Sequence, residues 1–178
     1  IYPKIFKKKD NLMLAKHSDM SIFLYNKKVY LEFPVKNFGK EYFVSSTITS
    51  SNLPILVGAQ ANSAQTFVVE RADTLLTFRR TKPNYRVNPN DSAVIKALDL
   101  AGKGAIFKTA SIQAWNRDST AVLVEATDFL SASNKDIFDL KGVSYDLGTS
   151  ITGCSVKSSL SFMEAVFAYK RCVCLQQE

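Results

Sequence analysis

His17 is the only histidine in the chain, so a paired-histidine metal motif is impossible and a Ser-His-Asp arrangement could be built only around this residue. It lies in a poorly patterned N-terminal stretch, and no serine carries the G-x-S-x-G signature of a nucleophile elbow. A structural zinc normally requires four ligands, and the chain offers three cysteines, Cys154, Cys172 and Cys174, and the single His17, with no paired C-x-x-C spacing. The cysteines read as buried or idle thiols. Asp128, Asp136, Asp139 and Asp146 could offer oxygen ligands to calcium, but they lack the alternate spacing and closing Glu of a calcium loop. Gly102-Lys103-Gly104 and the stretch from Gly148 to Gly153 lack the full glycine, lysine and hydroxyl set that cradles phosphate. No catalytic residue, no cofactor-binding residue and no metal ligand is therefore assigned, and an enzyme is not expected in this chain.

Binding chemistry has more material. Residues 1–90 hold 14 Lys and Arg against 6 Asp and Glu, whereas residues 91–178 hold 9 against 10, so the net +7 belongs to the first half. A basic face attracts any polyanion by counterion release, and Lys27, Lys28, Lys36, Lys40, Arg79 and Arg80 are the residues that would form it. Convergence on one face is the condition. Tyr30, Phe33, Tyr42 and Phe43 alternate with basic residues as a base-stacking platform would, but such alternation serves core and cross-strand packing more often. Without an RNA-binding or helix-turn-helix pattern, nucleic acid is not expected as a partner. Asn90-Asp91-Ser92 fits a glycosylation acceptor and equally well a helix cap.

The elements that would position these residues are mostly strands. The chain has 178 residues, 46% of them hydrophobic, with 7 Gly and 5 Pro, which is ordinary globular composition, and no run approaches the roughly 20 apolar residues of a membrane-spanning helix. Period-two patterns predict strands at Ser21 to Asn26, Lys28 to Phe33, Glu41 to Thr49, Thr66 to Arg71 and Thr74 to Arg80, with a short one at Ile55 to Val57. From Asn90 the period changes: Ala93, Val94, Ala97, Leu98 and Ala101, with Asp91 as cap and Gly102 as stop, predict a helix. Strands follow at Ala105 to Trp115 and Ala121 to Ala126, then a capped turn at Thr127 to Leu130 and a loop over 131–157. Leu160, Met163, Val166 and Phe167 form the stripe of a second predicted helix, Ser159 to Ala168, before a final strand. Position 1 is Ile, and the apolar run of Cys172 to Leu175 nearly reaches the last residue. The chain thus reads as part of a longer protein whose targeting peptide has been removed.

Lys28-Val29-Tyr30-Leu31-Glu32-Phe33-Pro34 and Phe38-Gly39-Lys40-Glu41-Tyr42-Phe43-Val44-Ser45 resemble the "Y-F-E-I-P, leucine-glycine-arginine, L-V-S" passage of a family of large bacterial zinc-dependent metallopeptidases. Val94 to Leu98, Ala105 to Ala114 and Val122 to Phe129, ending in Glu125-Ala126-Thr127-Asp128-Phe129, resemble that family's helix, its "A-F-x-I-x-A" strand and its "I-D-V-T-D-F-F" strand end. Ser159 to Ala168 falls where the family has a serine-tyrosine-isoleucine segment. The resemblance spans roughly residues 20–175 in order. Two departures stand out: Ser46-Thr47-Ile48 replaces the family's arginine, and its glycine-rich loop is reduced to about Ser50 to Asn62.

The resemblance implies a non-catalytic N-terminal accessory region that supports or shields a downstream domain carrying H-E-x-x-H-x-x-G-x-x-H, a motif absent here. It implies zinc only in that downstream domain, which would be the partner within the same polypeptide, and a periplasmic, outer-membrane-associated or secreted location. Docking of this kind requires an outward apolar patch. The alternative is a free-standing module whose basic face takes a polyanion, either nucleic acid or acidic glycan. The expected fold class is α+β, mainly antiparallel sheet with about two helices packed on it, preceded by an irregular lead-in over 1–19. Residues 20–178 would form one accessory domain, with a sub-boundary near 50–63 or 81–90 left open.

Overall fold

The computed structural model describes residues 2–7, 11–49, 57–58, 65–81, 90–102, 104–130, 163–168 and 173–177. The strands are β1 (Leu12–Lys16), β2 (Ser21–Tyr25), β3 (Lys28–Pro34), β4 (Glu41–Val44), β5 (Gln65–Ala72), β6 (Leu75–Arg80), β7 (Ile106–Trp115), β8 (Ala121–Glu125), β9 (Met163–Ala168) and β10 (Val173–Gln177). Two helices, α1 (Ser92–Ala101) and the single turn α2 (Thr127–Leu130), complete the elements, with a 3-10 turn at Val35–Asn37 after β3. Eight strands form one sheet in the order β1-β2-β3-β8-β7-β6-β5-β4, every neighbouring pair antiparallel, and the sheet curls into a half-barrel.

Alternation of apolar and polar residues determines which face turns inward. Leu31 and Phe33 on β3 stand opposite Val124 and Val122 on β8, and Val69 on β5 opposite Phe78 on β6; all of these are buried in one cluster. Because the sheet curls, residues from distant strands meet inside it: Phe33 and Phe78 lie 6.0 Å apart, ring centre to ring centre, and Phe78 and Phe129 4.9 Å. Phe129 reaches this core from α2, whose Thr127 hydroxyl accepts a hydrogen bond from Val29 N at 3.0 Å. The outer face of β2, β3 and β8 is covered differently, since Tyr2 and Phe6 pack on Phe23, Tyr30 and Leu123. Phe6 stacks on Phe23 at 5.2 Å.

Two loops draw the ends of the curled sheet together. Asn37, almost wholly buried, donates from Nδ2 to the Ser18 and Asp19 carbonyls, and the Tyr42 hydroxyl of β4 donates to the same Asp19 carbonyl. The β9–β10 ribbon packs against β1 and β2, inserting Met163 into the core beside Val166.

This architecture corrects the α+β expectation. The fold is nearly all β, and among the described residues α1 is the one helix of more than a single turn. Where a second helix was expected over 159–168, Met163–Ala168 is a strand paired with Val173–Gln177. The near-continuous apolar run from Ala165 to Ala168 satisfies either period, and the ribbon partner decides between them. Nor does α1 pack down as expected, because Val94 and Ile95 stay exposed. Residues 12–16 of the supposed irregular lead-in form β1, whose alternation is hard to see because Met13 and Leu14 are both exposed while Ala15 is buried. The expected short strand at 55–57 and the loop over 131–157 lie largely or wholly outside the described residues.

Candidate functional site

Antiparallel topology gathers the turns at two poles of the half-barrel. One pole holds the β2–β3 turn, the end of β6 and the start of β7; the other holds the β5–β6 tip, the β7–β8 turn and the 3-10 turn after β3. The six basic residues proposed for a polyanion are divided between these regions. Lys27 and Lys28 sit at the start of β3 and Lys36 beyond its end, so the seven-residue strand keeps Lys28 and Lys36 roughly 20 Å or more apart.

Most of these cations are engaged. Lys28 Nζ lies 3.1 Å from Glu125 Oε1, and the hydrogen bond and charge of Glu125 raise the Lys28 pKa. Arg79 pairs with Glu70 at 3.1 Å and donates to the Gly104 carbonyl, Arg80 lies over the Phe107 ring, and Lys40 approaches Asp19 at 4.0 Å. The four aromatic residues also separate: Phe33 is core, Tyr42 packs against it at 5.5 Å, Tyr30 belongs to the outer cluster, and Phe43 points to solvent. His17 stands 3.7 Å from Asp19 in the β1–β2 connection. Among the described residues no three His, Cys, Asp or Glu side chains converge as metal ligands would, and Asp136, Asp139, Asp146, Cys154 and Cys172 lie outside the described residues.

Two solvent-exposed features are better formed. On the outer face of β4 to β7, register places Phe43 beside Thr66, and Val68 in one row with Arg79 and Ile106. Phe43 is 68% exposed and Ile106 47% exposed, and between their strands stand the half-buried Val68 on β5 and Arg79 on β6. At the second pole, Trp115 and Arg71 share the inner face just beyond the core, Trp115 opposite buried Val122 and Arg71 opposite buried Leu76. The Arg71 guanidinium carbon lies 5.0 Å from the Trp115 ring centre, and its Nε donates to the Asp73 carbonyl at 2.8 Å. Sequence reasoning missed this pair. The only tryptophan, placed at the end of a strand directly before Asn116-Arg117-Asp118-Ser119, was the available signal.

A third group is buried on the outer face of the first sheet half. The Tyr2 hydroxyl is enclosed without a closed hydrogen bond, and burial together with the Glu32 charge pushes its pKa upward. Burial also raises the Glu32 carboxyl, an effect that Tyr2 and Lys16 oppose. The N-terminal segment is held to this face by the packing of Tyr2 and Phe6 on Phe23, Tyr30 and Leu123.

Fold and surface together define a β half-barrel with a buried aromatic core and a few exposed apolar side chains. The chain belongs to the family described as Domain of unknown function (DUF5117), whose model matches residues 58–177, about two thirds of its length. That stretch begins before β5, yet β8 within it is hydrogen-bonded to β3 outside it, so the sheet extends past the matched residues. No curated protein and no solved structure matches the chain. Among the described residues no helix is long and apolar enough to cross a membrane.

Proposed function

We propose that this chain is a non-catalytic accessory module that docks through the outer face of β4 to β7 onto a further domain of the same polypeptide. The observation that carries this reading is the exposed Phe43 on β4 and Ile106 on β7, with Val68 and Arg79 on the two strands between them. Large apolar side chains held on rigid strands to either side of the charged Arg79–Glu70 pair make a surface that combines apolar and polar contacts, as protein interfaces do. The docked domain is the zinc peptidase implied by the resemblance of Glu125-Ala126-Thr127-Asp128-Phe129 and its preceding segments. Zinc belongs to that domain, and the location is periplasmic, outer-membrane-associated or secreted. Support or shielding of the peptidase is the module's role.

The test is association in trans. The 178-residue chain is mixed with the polypeptide encoded after Glu178, and the same is done with a Phe43→Ser, Ile106→Thr double variant. Binding by the wild-type chain that weakens at least about tenfold in the variant supports docking. Equal binding by both removes this face from the account, and a following polypeptide without H-E-x-x-H removes the peptidase.

A further inference from the structure

We propose that the rim formed by Arg71 and Trp115 is a recognition site for the uronate units of an acidic polysaccharide. Arg71 is held twice, by its Nε bond to the Asp73 carbonyl and by the Trp115 ring beneath its guanidinium. Its two terminal amino groups have no other hydrogen-bond partner among the described residues. They form a fork of fixed direction, the geometry that meets a carboxylate with two parallel hydrogen bonds. Trp115 is 37% exposed, and the part of its ring that Arg71 leaves uncovered adjoins that fork. A sugar acid presents both matching parts at once, a flat C–H face that stacks on an aromatic ring and a carboxylate beside it.

The surrounding rim is rigid. Asn116 Oδ1 accepts from Thr120 N at 2.7 Å and Ala121 N at 3.0 Å, and Asn116 Nδ2 donates to the Thr120 hydroxyl. Val35 N donates to the Thr120 carbonyl and Ile112 N to the Thr74 carbonyl, tying the 3-10 turn and the β5–β6 tip to β7 and β8. A rim already ordered loses little conformational freedom on binding. The same bonds leave these backbone N–H groups unable to form the nest that captures a peptide's terminal carboxylate. Val35, Ile112, Asn116, Ser119, Thr120 and Ala121 all have their amides committed within the chain.

Exposed Lys36 and Arg117 stand on the two adjoining turns, while Asp73 and Asp118 keep the local charge nearly balanced. Selectivity therefore rests on the Arg71–Trp115 pair, with Lys36 and Arg117 placed for neighbouring carboxylates along the polymer.

As the only tryptophan, Trp115 reports binding by its own fluorescence. Tetragalacturonate added to the full chain is expected to change Trp115 emission saturably. Arg71→Lys keeps the charge but loses the fork, and should weaken binding about tenfold, whereas Lys28→Ala at the opposite pole should leave it unchanged. Calorimetry on Trp115→Ala, with circular dichroism confirming the fold, should show binding lost. A neutral galactose tetramer should produce no change. Absence of a saturable response to tetragalacturonate, equal binding of the neutral tetramer or of tetraglutamate, or undiminished binding by Arg71→Lys would each overturn the proposal.

Discussion

The Tyr42 hydroxyl donates to the Asp19 carbonyl at 3.0 Å, linking β4, the last strand in the sheet order, to the turn that joins β1 and β2 at the other end. An eight-stranded sheet that curls but does not close leaves two edges exposed to unwanted pairing. This bond, with those of Asn37 to Ser18 and Asp19, brings the two ends together without a ninth strand.

Removal of that hydroxyl by Tyr42→Phe should cost about 1 kcal/mol, the net worth of an ordinary hydrogen bond. Asn37→Ala should cost more, about 2 kcal/mol, since it removes two hydrogen bonds made by a buried side chain. Urea unfolding at neutral pH measures both.

Burial, helped by the Asp19 charge, pushes the Tyr42 pKa up to about 12. An unfolded tyrosine ionises near pH 10, so between pH 10 and 12 the unfolded chain releases a proton that the folded chain keeps. The stabilisation is complete below pH 10 and is lost as pH rises toward 12. Tyr42→Phe should remove part of this alkaline loss, which thermal melts from pH 9 to 12 would show.

Glu32 titrates with the corresponding sign at the acidic end. Its carboxyl is raised by burial, so the ionised form is less favourable in the folded chain than in water. Its contribution is greatest below the ordinary carboxylate range and falls as pH rises through its folded value. Glu32→Gln should raise the melting temperature at pH 7 relative to wild type, with a smaller difference or a reversal at pH 4.

Core and periphery should respond differently. Phe129→Ala removes a ring that contacts Phe67, Phe78 and Phe107 at 4.9 to 6.0 Å, and should cost about 3–5 kcal/mol. Asp91→Ala removes the α1 cap, whose carboxylate accepts from Val94 N at 3.1 Å. Because α1 leaves Val94 and Ile95 exposed, loss of about 1 kcal/mol of helix stability should appear as faster amide exchange within α1, with little change in global unfolding.

Most strands were legible because one face of each is buried. The alternation of Val29, Leu31 and Phe33, or of Leu76 and Phe78, survives folding as burial. The antiparallel hairpins followed from the left-handed turn residues Asn26-Lys27 and Asp73, both with positive φ. The order of strands was not legible, since the β3–β8 pairing joins Phe33 to Val122 across half the length of the chain. Residues 163–168 were misread because an apolar ribbon strand and a helix stripe look alike over six positions. The Arg71–Trp115 pair was invisible for the same long-range reason: only the curl of the sheet brings the β5 terminus over the end of β7.

Hydroxyl-radical footprinting of Phe43 tests the docking account most directly, comparing the 178-residue chain with the intact gene product. Phe43 is 68% exposed on the proposed docking face, and Met13, 51% exposed on β1, serves as the internal control. The account predicts that Phe43 oxidation falls several-fold in the intact protein while Met13 oxidation is unchanged. Equal oxidation of Phe43 in both forms would contradict it.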